Sequence, residues 1–228
     1  MKPKLVIFSG AGISAESGIN TFRGSDGLWE NYRIEEVATP EAFEKNPALV
    51  LEFYNQRRKQ VINAKPNQAH IAIAKAEAHF NTSVITQNID DLHERAGSSN
   101  VLHLHGEIRK ARPIGRNTLY DIDGPELLVG DTDTHGTQLR PHVVWFGEAV
   151  PMIEIAIPII QQADILIVVG TSLNVYPAAG LIDYAQTSTK KYLVDPQHTG
   201  SQRGKFKIIQ ETATNGIPRL LNFLMSND

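Results

Sequence analysis

The residues best suited to chemistry lie in a few short stretches. Gly10-Ala-Gly-Ile-Ser-Ala-Glu-Ser-Gly18 follows the apolar run Leu5–Phe8. Small residues directly after a parallel strand let main-chain N–H groups approach a pyrophosphate at a helix N-terminus. The spacing is not that of the dehydrogenase G-x-G-x-x-G, and the Lys-Ser/Thr ending of a P-loop is missing. A plain strand-to-helix turn would use the same glycines. Thr86-Gln-Asn-Ile-Asp-Asp-Leu-His93 begins at the end of a second apolar run. Polar groups at the carboxyl edge of a parallel strand face the ligand crevice, so Asn88 and Asp90 suit an amide or sugar hydroxyls. Asp90 equally suits capping of the turn Asp91–Arg95. In Val101-Leu-His-Leu-His-Gly-Glu107, strand alternation puts His103 and His105 on one side. Imidazole is the usual general base near neutral pH. A hydrogen-bonded structural histidine is the commoner use, and a metal pair completed by Asp90 or His93 is a third. Arg140-Pro-His-Val-Val-Trp-Phe-Gly-Glu148 fits a core strand, or an edge that pairs with an extended peptide. Val168-Val-Gly-Thr-Ser172 repeats the opening logic, with Thr171 and Ser172 as phosphate or ribose donors.

The elements that must carry these groups alternate. Near-continuous apolar or β-branched runs at Leu5–Phe8, Ser83–Gln87, Val101–Leu104, Ile165–Val169, Lys191–Asp195 and Phe206–Gln210 predict parallel strands covered on both faces. Helical patterns fall between them, at Asn67–Phe80, Pro151–Ala163, Pro177–Gln186 and Ile217–Met225. The expectation is an α/β fold, a Rossmann-like doubly wound parallel sheet. Residues 25–64 and 106–140 do not alternate in this way. The first holds Thr39-Pro40 and Asn46-Pro47, each a capping residue before a proline that opens a helix. The second is polar, with little periodicity. Both read as insertions that pack together into a smaller domain beside a sheet domain of residues 1–24, 65–105 and 141–228.

Composition narrows the classes. A chain of 228 residues with net charge −3 is a poor match to a phosphate-backbone binder, so no nucleic-acid partner is expected. With no cysteine, disulfides, thiolate metal sites and a Cys nucleophile are excluded. Ile153–Val169 is interrupted by Pro158, Gln161, Gln162 and Asp164, so no membrane span is expected. Met1-Lys-Pro-Lys4 leads directly into a strand without a leader pattern, which suggests a cytoplasmic protein.

Taken together and in this order, the stretches GAGISAESGINTFRG, TQNIDDLH, LHLHGE, RPHVVWFGE and GTSLNVYPAAG resemble the sirtuin family of NAD-dependent protein deacylases. The resemblance implies a deacetylase-type transferase that consumes NAD as co-substrate, with acylated lysines of proteins or peptides as partners. Its products would be free lysine, nicotinamide and O-acyl-ADP-ribose. It implies cofactor contacts from Gly10, Ala11, Gly12, Ile13, Ser14, Ala15, Glu16, Thr21, Phe22, Arg23 and Trp29. Gln87, Asn88, Ile89 and Asp90 would hold the nicotinamide and its ribose, with Asn88 and Asp90 in the catalytic set. Gly170, Thr171, Ser172, Asp195, Pro196, Gln197 and Ala213 would lie along the adenosine side. His105, not His103, matches the family's general base. Val143, Trp145, Phe146 and Gly147 would line the acyl-lysine tunnel and the peptide.

Three departures or specialisations stand out. The zinc-binding cysteines of many sirtuins are absent from residues 106–140, and Asp131, Asp133 and His135 make a poor zinc set, so no zinc is expected. Asp195 stands where the family usually has Asn, and its charge would repel a 2′-phosphate, favouring NAD over NADP. Tyr54 and Arg57, three apart on a helix, share a face and together suit a carboxylate. Spacing alone favours a solvated basic face of Arg57, Arg58 and Lys59. The resemblance instead points to the subgroup acting as desuccinylase and demalonylase. The competing readings are an NADase or mono-ADP-ribosyltransferase, and a non-catalytic NAD-sensing module.

Overall fold

The computed structural model describes residues 2–20, 28–29, 32–171, 173, 176–197 and 206–226, with the main chain alone at Leu28 and Trp29. In chain order the elements are β1 (Lys4–Ser9), α1 (Gly12–Ala15), β2 (Leu28–Trp29), β3 (Tyr32–Arg33), α2 (Ile34–Val37), α3 (Pro40–Lys45), α4 (Pro47–Asn63), α5 (Gln68–Ala76), β4 (Asn81–Thr86) and α6 (Leu92–Arg95). They continue with β5 (Val101–His103), β6 (Gly106–Pro113), β7 (Tyr120–Asp121), β8 (Leu139–Val143), α7 (Met152–Gln161), β9 (Ile165–Val169), a 3₁₀ helix (Ala178–Tyr184), β10 (Lys190–Val194), β11 (Lys207–Ile209) and α8 (Ala213–Ser226).

The main sheet has six parallel strands in the order β11-β10-β9-β1-β4-β5. Ranked by sequence within the sheet and read from β5, this is 3-2-1-4-5-6, a Rossmann-like α/β arrangement. The order reverses between β1 and β9, where the loops after the two strands open a crevice. The strand runs lack polar alternation because both faces are covered. Leu5 and Ile7 pack with α5 and α8, whereas Val6 and Phe8 pack with α7 and the 3₁₀ helix. The run expected to be a helix at Pro177–Gln186 is this 3₁₀ helix, tightened by bonds such as Gly180 N–H to the Pro177 carbonyl (3.0 Å).

A third core joins α2–α4 to β6–β8. The capping pairs place these helices: the Thr39 hydroxyl accepts from Ala42 N–H, and Asn46 Oδ1 accepts from Leu49 N–H, both at 3.1 Å. Residues 106–140 differ from the irregular segment expected. They supply most of a three-stranded antiparallel sheet, ordered β7-β6-β8. The register of β6 against β8 shifts between Glu107 and Ala111, which spoils the period-two pattern that would mark a strand. The domain boundary expected at residue 140 falls inside β8, whose Val143 pairs with Gly106. Among the described residues no helix is long and apolar enough to cross a membrane.

Candidate active site

The crevice floor is made of glycines that interlock. Gly10 N–H donates to the Val169 carbonyl (3.0 Å), and Gly12 N–H donates to the Gly170 carbonyl (2.8 Å). A Cβ on Gly12 would lie 2.7 Å from Gly170 Cα, and one on Gly10 would lie 2.7 Å from Thr171 Cβ. Gly170 has φ +63°, and a Cβ there would strike the Ile13 nitrogen. The loops therefore close only without side chains, and they leave bare main chain at the strand-order reversal. This cradle fits the pyrophosphate of a dinucleotide. The expected helix N-terminus contributes little, because α1 is a single turn. Ile13 is wholly buried in the core, so its side chain does not line the crevice, while Ala15 and Glu16 are exposed.

A buried polar network ties this loop to the one after β4. Ser14 Oγ donates to Asp90 Oδ2 (3.0 Å) and accepts from Asn88 Nδ2 (3.1 Å). Asp90 Oδ1 also accepts from Leu92 N–H (3.2 Å), so Asp90 serves both the network and the helical turn. Burial raises the Asp90 pKa, against the lowering effect of those two bonds. Gln87 spans the crevice and donates to Thr171 Oγ1 (3.1 Å). Ile89 lies against the small core, and its carbonyl accepts from Ile108 N–H (2.8 Å).

The two histidines of the β5 stretch are held differently. His105 Nδ1 lies 2.9 Å from the Gln87 carbonyl. A carbonyl only accepts, so Nδ1 carries the proton and Nε2 keeps its lone pair. Burial lowers the His105 pKa, with the Gln87 bond opposing, so the ring is neutral at neutral pH. A base needs this state. His103 has acceptors at both nitrogens, the Asn88 carbonyl (2.8 Å) and Glu94 Oε1 (2.7 Å), and no lone pair remains for base chemistry. Gly106, with φ +82°, sets the turn after His105, and a Cβ there would collide with the His142 carbonyl.

On the other side of His105, its carbonyl accepts from Val144 N–H (2.9 Å). Val143, Trp145 and Tyr54 are buried in one cluster, and Trp145 Nε1–H donates to the Tyr54 hydroxyl (3.1 Å). Burial raises the Tyr54 pKa, so the phenol stays protonated. Arg57 is 7% exposed and Arg58 is fully buried, so the solvated face expected from spacing does not exist; only Lys59 is exposed. Arg58 is structural, donating to the carbonyls of Ile108 (2.7 Å) and Pro125 (2.8 Å). Phe146 is 45% exposed, and its N–H donates to the Ala38 carbonyl (3.0 Å), which fastens this stretch to the helical insertion.

Asp195 ends β10 and is 7% exposed, with Oδ1 taken by Gln197 N–H (2.8 Å); Pro196 and Gln197 are exposed. Ala213 opens α8 and is buried in the core. Thr21, Phe22, Arg23 and Ser172 lie outside the described residues, as does the side chain of Trp29. Asp133 Oδ1 accepts from His135 and Thr137 N–H, both at 2.9 Å, and Oδ2 pairs with Arg116. Asp131 accepts from Leu128 N–H (2.7 Å), so these carboxylates serve a turn. Among the described residues no group of three His, Cys, Asp or Glu could hold a metal ion.

Three supports are not legible in the motifs. Asn67 caps α5 and also donates to the Ile13 carbonyl (2.8 Å) and Ser17 Oγ (3.0 Å), bracing the glycine loop. Its place before a helix signals only the cap. Arg140 stacks 3.3 Å from the Trp145 ring centroid and pairs with Glu148, which also accepts from Trp145 N–H (2.8 Å). Glu94, the partner of His103, reads as a surface helical residue.

A sequence model described as the Sir2 family matches residues 10–177. A Bacteroides thetaiotaomicron protein named NAD-dependent protein deacylase is 47% identical, with 97% of each chain covered. A Helicobacter pylori protein of the same name is 50% identical, with 95% of each chain covered. Among solved structures, a Sir2 homologue–NAD complex superposes with TM-score 0.89 at 40% identity, over 99% of this chain and 91% of that one. A mutant Sir2 homologue bound to 2′-O-acetyl ADP-ribose superposes with TM-score 0.88 at 39% identity, over 99% and 93%.

Proposed function

The chain belongs to the Sir2, or sirtuin, family, and on that premise we propose that it is an NAD-dependent protein-lysine deacylase that takes succinyl and malonyl groups at least as well as acetyl. NAD, when bound, supplies a ribose carbon whose bond to nicotinamide can break. The roles of this chain follow from the site. The interlocked main chain at Gly10, Gly12 and Gly170 admits the pyrophosphate. The Asn88–Ser14–Asp90 network presents the loop that faces nicotinamide and its ribose. His105 Nε2 accepts a ribose-hydroxyl proton, and the Gln87 carbonyl holds the ring in the needed tautomer. The smaller lobe, built on α2–α4 and β6–β8, supplies the acyl pocket.

The observation that carries the acyl class is Arg57, buried on the same helix face as a Tyr54 phenol whose oxygen already accepts from Trp145. Guanidinium and phenol on one helix face suit an acyl carboxylate, the guanidinium through charge-assisted bonds and the phenol through a hydroxyl. Mass spectrometry of acetyl-, malonyl- and succinyl-lysine peptides, with and without NAD, tests the reading. NAD-dependent loss of all three acyl groups is expected, with nicotinamide and O-acyl-ADP-ribose formed in equal amounts. Nicotinamide release that ignores the peptide would replace the deacylase with an NADase. Removal of acetyl alone would return Arg57 to a structural role.

A further inference from the structure

His103 is the histidine of the β5 stretch that base chemistry does not use, yet it is held more tightly than His105. We propose that His103 and Glu94 form a charge clamp that positions the Gln87–Asp90 loop, and that its loss on deprotonation sets the alkaline limit of activity.

The number of protons on the ring fixes its charge. His103 Nδ1 lies 2.8 Å from the Asn88 carbonyl and Nε2 lies 2.7 Å from Glu94 Oε1. Both partners only accept, so both nitrogens must carry hydrogen, and only the imidazolium does. A neutral ring keeps one bond and turns a lone pair toward the other acceptor. Whichever tautomer forms, either Asn88 loses its donor or Glu94 is repelled. The Asn88 carbonyl matters because its neighbours are committed elsewhere. Asn88 N–H donates to Thr86 Oγ1 (3.0 Å), and its side chain donates to Ser14. The same segment turns through Gln87, whose carbonyl orients His105. His103 and His105 thus grip successive carbonyls of one loop, one as a cation and the other as a neutral ring.

The surroundings favour the charge. Facing His103 are Glu94 on α6, Glu107 on β6, Asp90 in the loop, and the neutral, buried His93. Burial alone would lower the His103 pKa, but the Glu94 bond and charge, the Asn88 carbonyl and Glu107 outweigh it, and the pKa is raised. The Glu94 pKa is lowered despite burial, chiefly through its bond to His103. Only the Glu94 end is open to solvent, with side-chain exposures of 7% for His103 and 39% for Glu94. His103 is thus a positioning residue.

The signs give a bell-shaped profile. His105 must be neutral, so activity falls as pH drops through its lowered pKa. His103 must be charged, so activity falls as pH rises through its raised pKa. The test is Glu94→Gln in the full chain, with kcat/KM for NAD followed against pH and the imidazole nitrogens titrated by 15N NMR. The alkaline limb should move toward acid by ~1 pH unit, the lower end of what a close opposite charge contributes. The acid limb should stay, and the His103 NMR titration should shift with the alkaline limb. A purely architectural pair would scale activity equally at every pH. An alkaline limb that stays put in Glu94→Gln overturns the proposal. So does a wild-type spectrum showing His103 with one N–H at pH 7, a result independent of any variant's folding.

Discussion

Replacing Arg57 by Met separates charge recognition from packing. Arg57 is 7% exposed, and its guanidinium carbon sits 5.7 Å from the Phe53 ring centroid. Met keeps an unbranched stem against that ring and removes only the charge and donors. At this depth a carboxylate is poorly screened, and a hydrogen bond to a charged group contributes about 1.5–3 kcal/mol. That corresponds to roughly 10- to 150-fold in kcat/KM. Acetyl has no carboxylate and should lose little. The assay compares kcat/KM on succinyl- and acetyl-lysine versions of one peptide. Tyr54→Phe should act in the same direction, because it removes a hydroxyl from the helix face that carries Arg57. The double variant should lose less than the product of the two single losses, since both groups hold one carboxylate. Equal losses on both peptides, or none on either, would refute the reasoning and make Arg57 a packing residue.

His105→Ala should lower deacylation by ~10²–10⁴-fold, the usual value of a positioned base. The NAD dissociation constant, measured by calorimetry, should change little, and near-normal turnover would remove the base assignment. Gly106→Ala puts a methyl group against the His142 carbonyl at φ +82°. A cost of about 1–3 kcal/mol should lower Tm by ~2–12 °C, and kcat should fall as His105 is displaced. Elemental analysis should find no stoichiometric zinc, and chelator should leave Tm unchanged; a metal whose removal unfolds the protein would contradict this.

The main sheet is legible because its strands are covered on both faces. Runs such as Ile165–Val169 are buried at every position, and that shows directly in the letters. The glycine loop is legible for a related reason: two backbone segments meet at Gly10, Gly12 and Gly170 with no room for a Cβ. The small sheet is not legible. In β6 the buried positions are Gly106, Ile108, Ala111 and Pro113, and a register shift breaks the alternation. Burial of Arg57 and Arg58 is hidden too: Gln-Arg-Arg-Lys reads as a solvated face, and for Arg58 only the structure shows that Ile108 and Pro125 offer carbonyls. The split between His103 and His105 is equally invisible: alternation gives both the same side, and only the acceptors at their nitrogens distinguish them.

Those acceptors also explain how two cores meet at one site. The ends of β1, β4 and β9 are tied by main-chain bonds: Gln87 N–H to Ser9, Gly10 N–H to Val169 and Gly12 N–H to Gly170. The glycine loops and the Gln87–Asp90 loop are therefore one tied edge. His105 leaves that edge for the small sheet. Its ring donates back to Gln87, while its own carbonyl accepts from Val144, next to Trp145. His105 is thus registered to the main sheet by its side chain and to the Val143–Trp145 stretch by its backbone. Holding two reactants within near-attack distance is worth several kcal/mol only if both halves share one reference point. Here His105 is one such point, beside the Ile108 N–H bond to the Ile89 carbonyl, so a displacement of the Val143–Trp145 stretch is transmitted to His105 rather than absorbed by a linker.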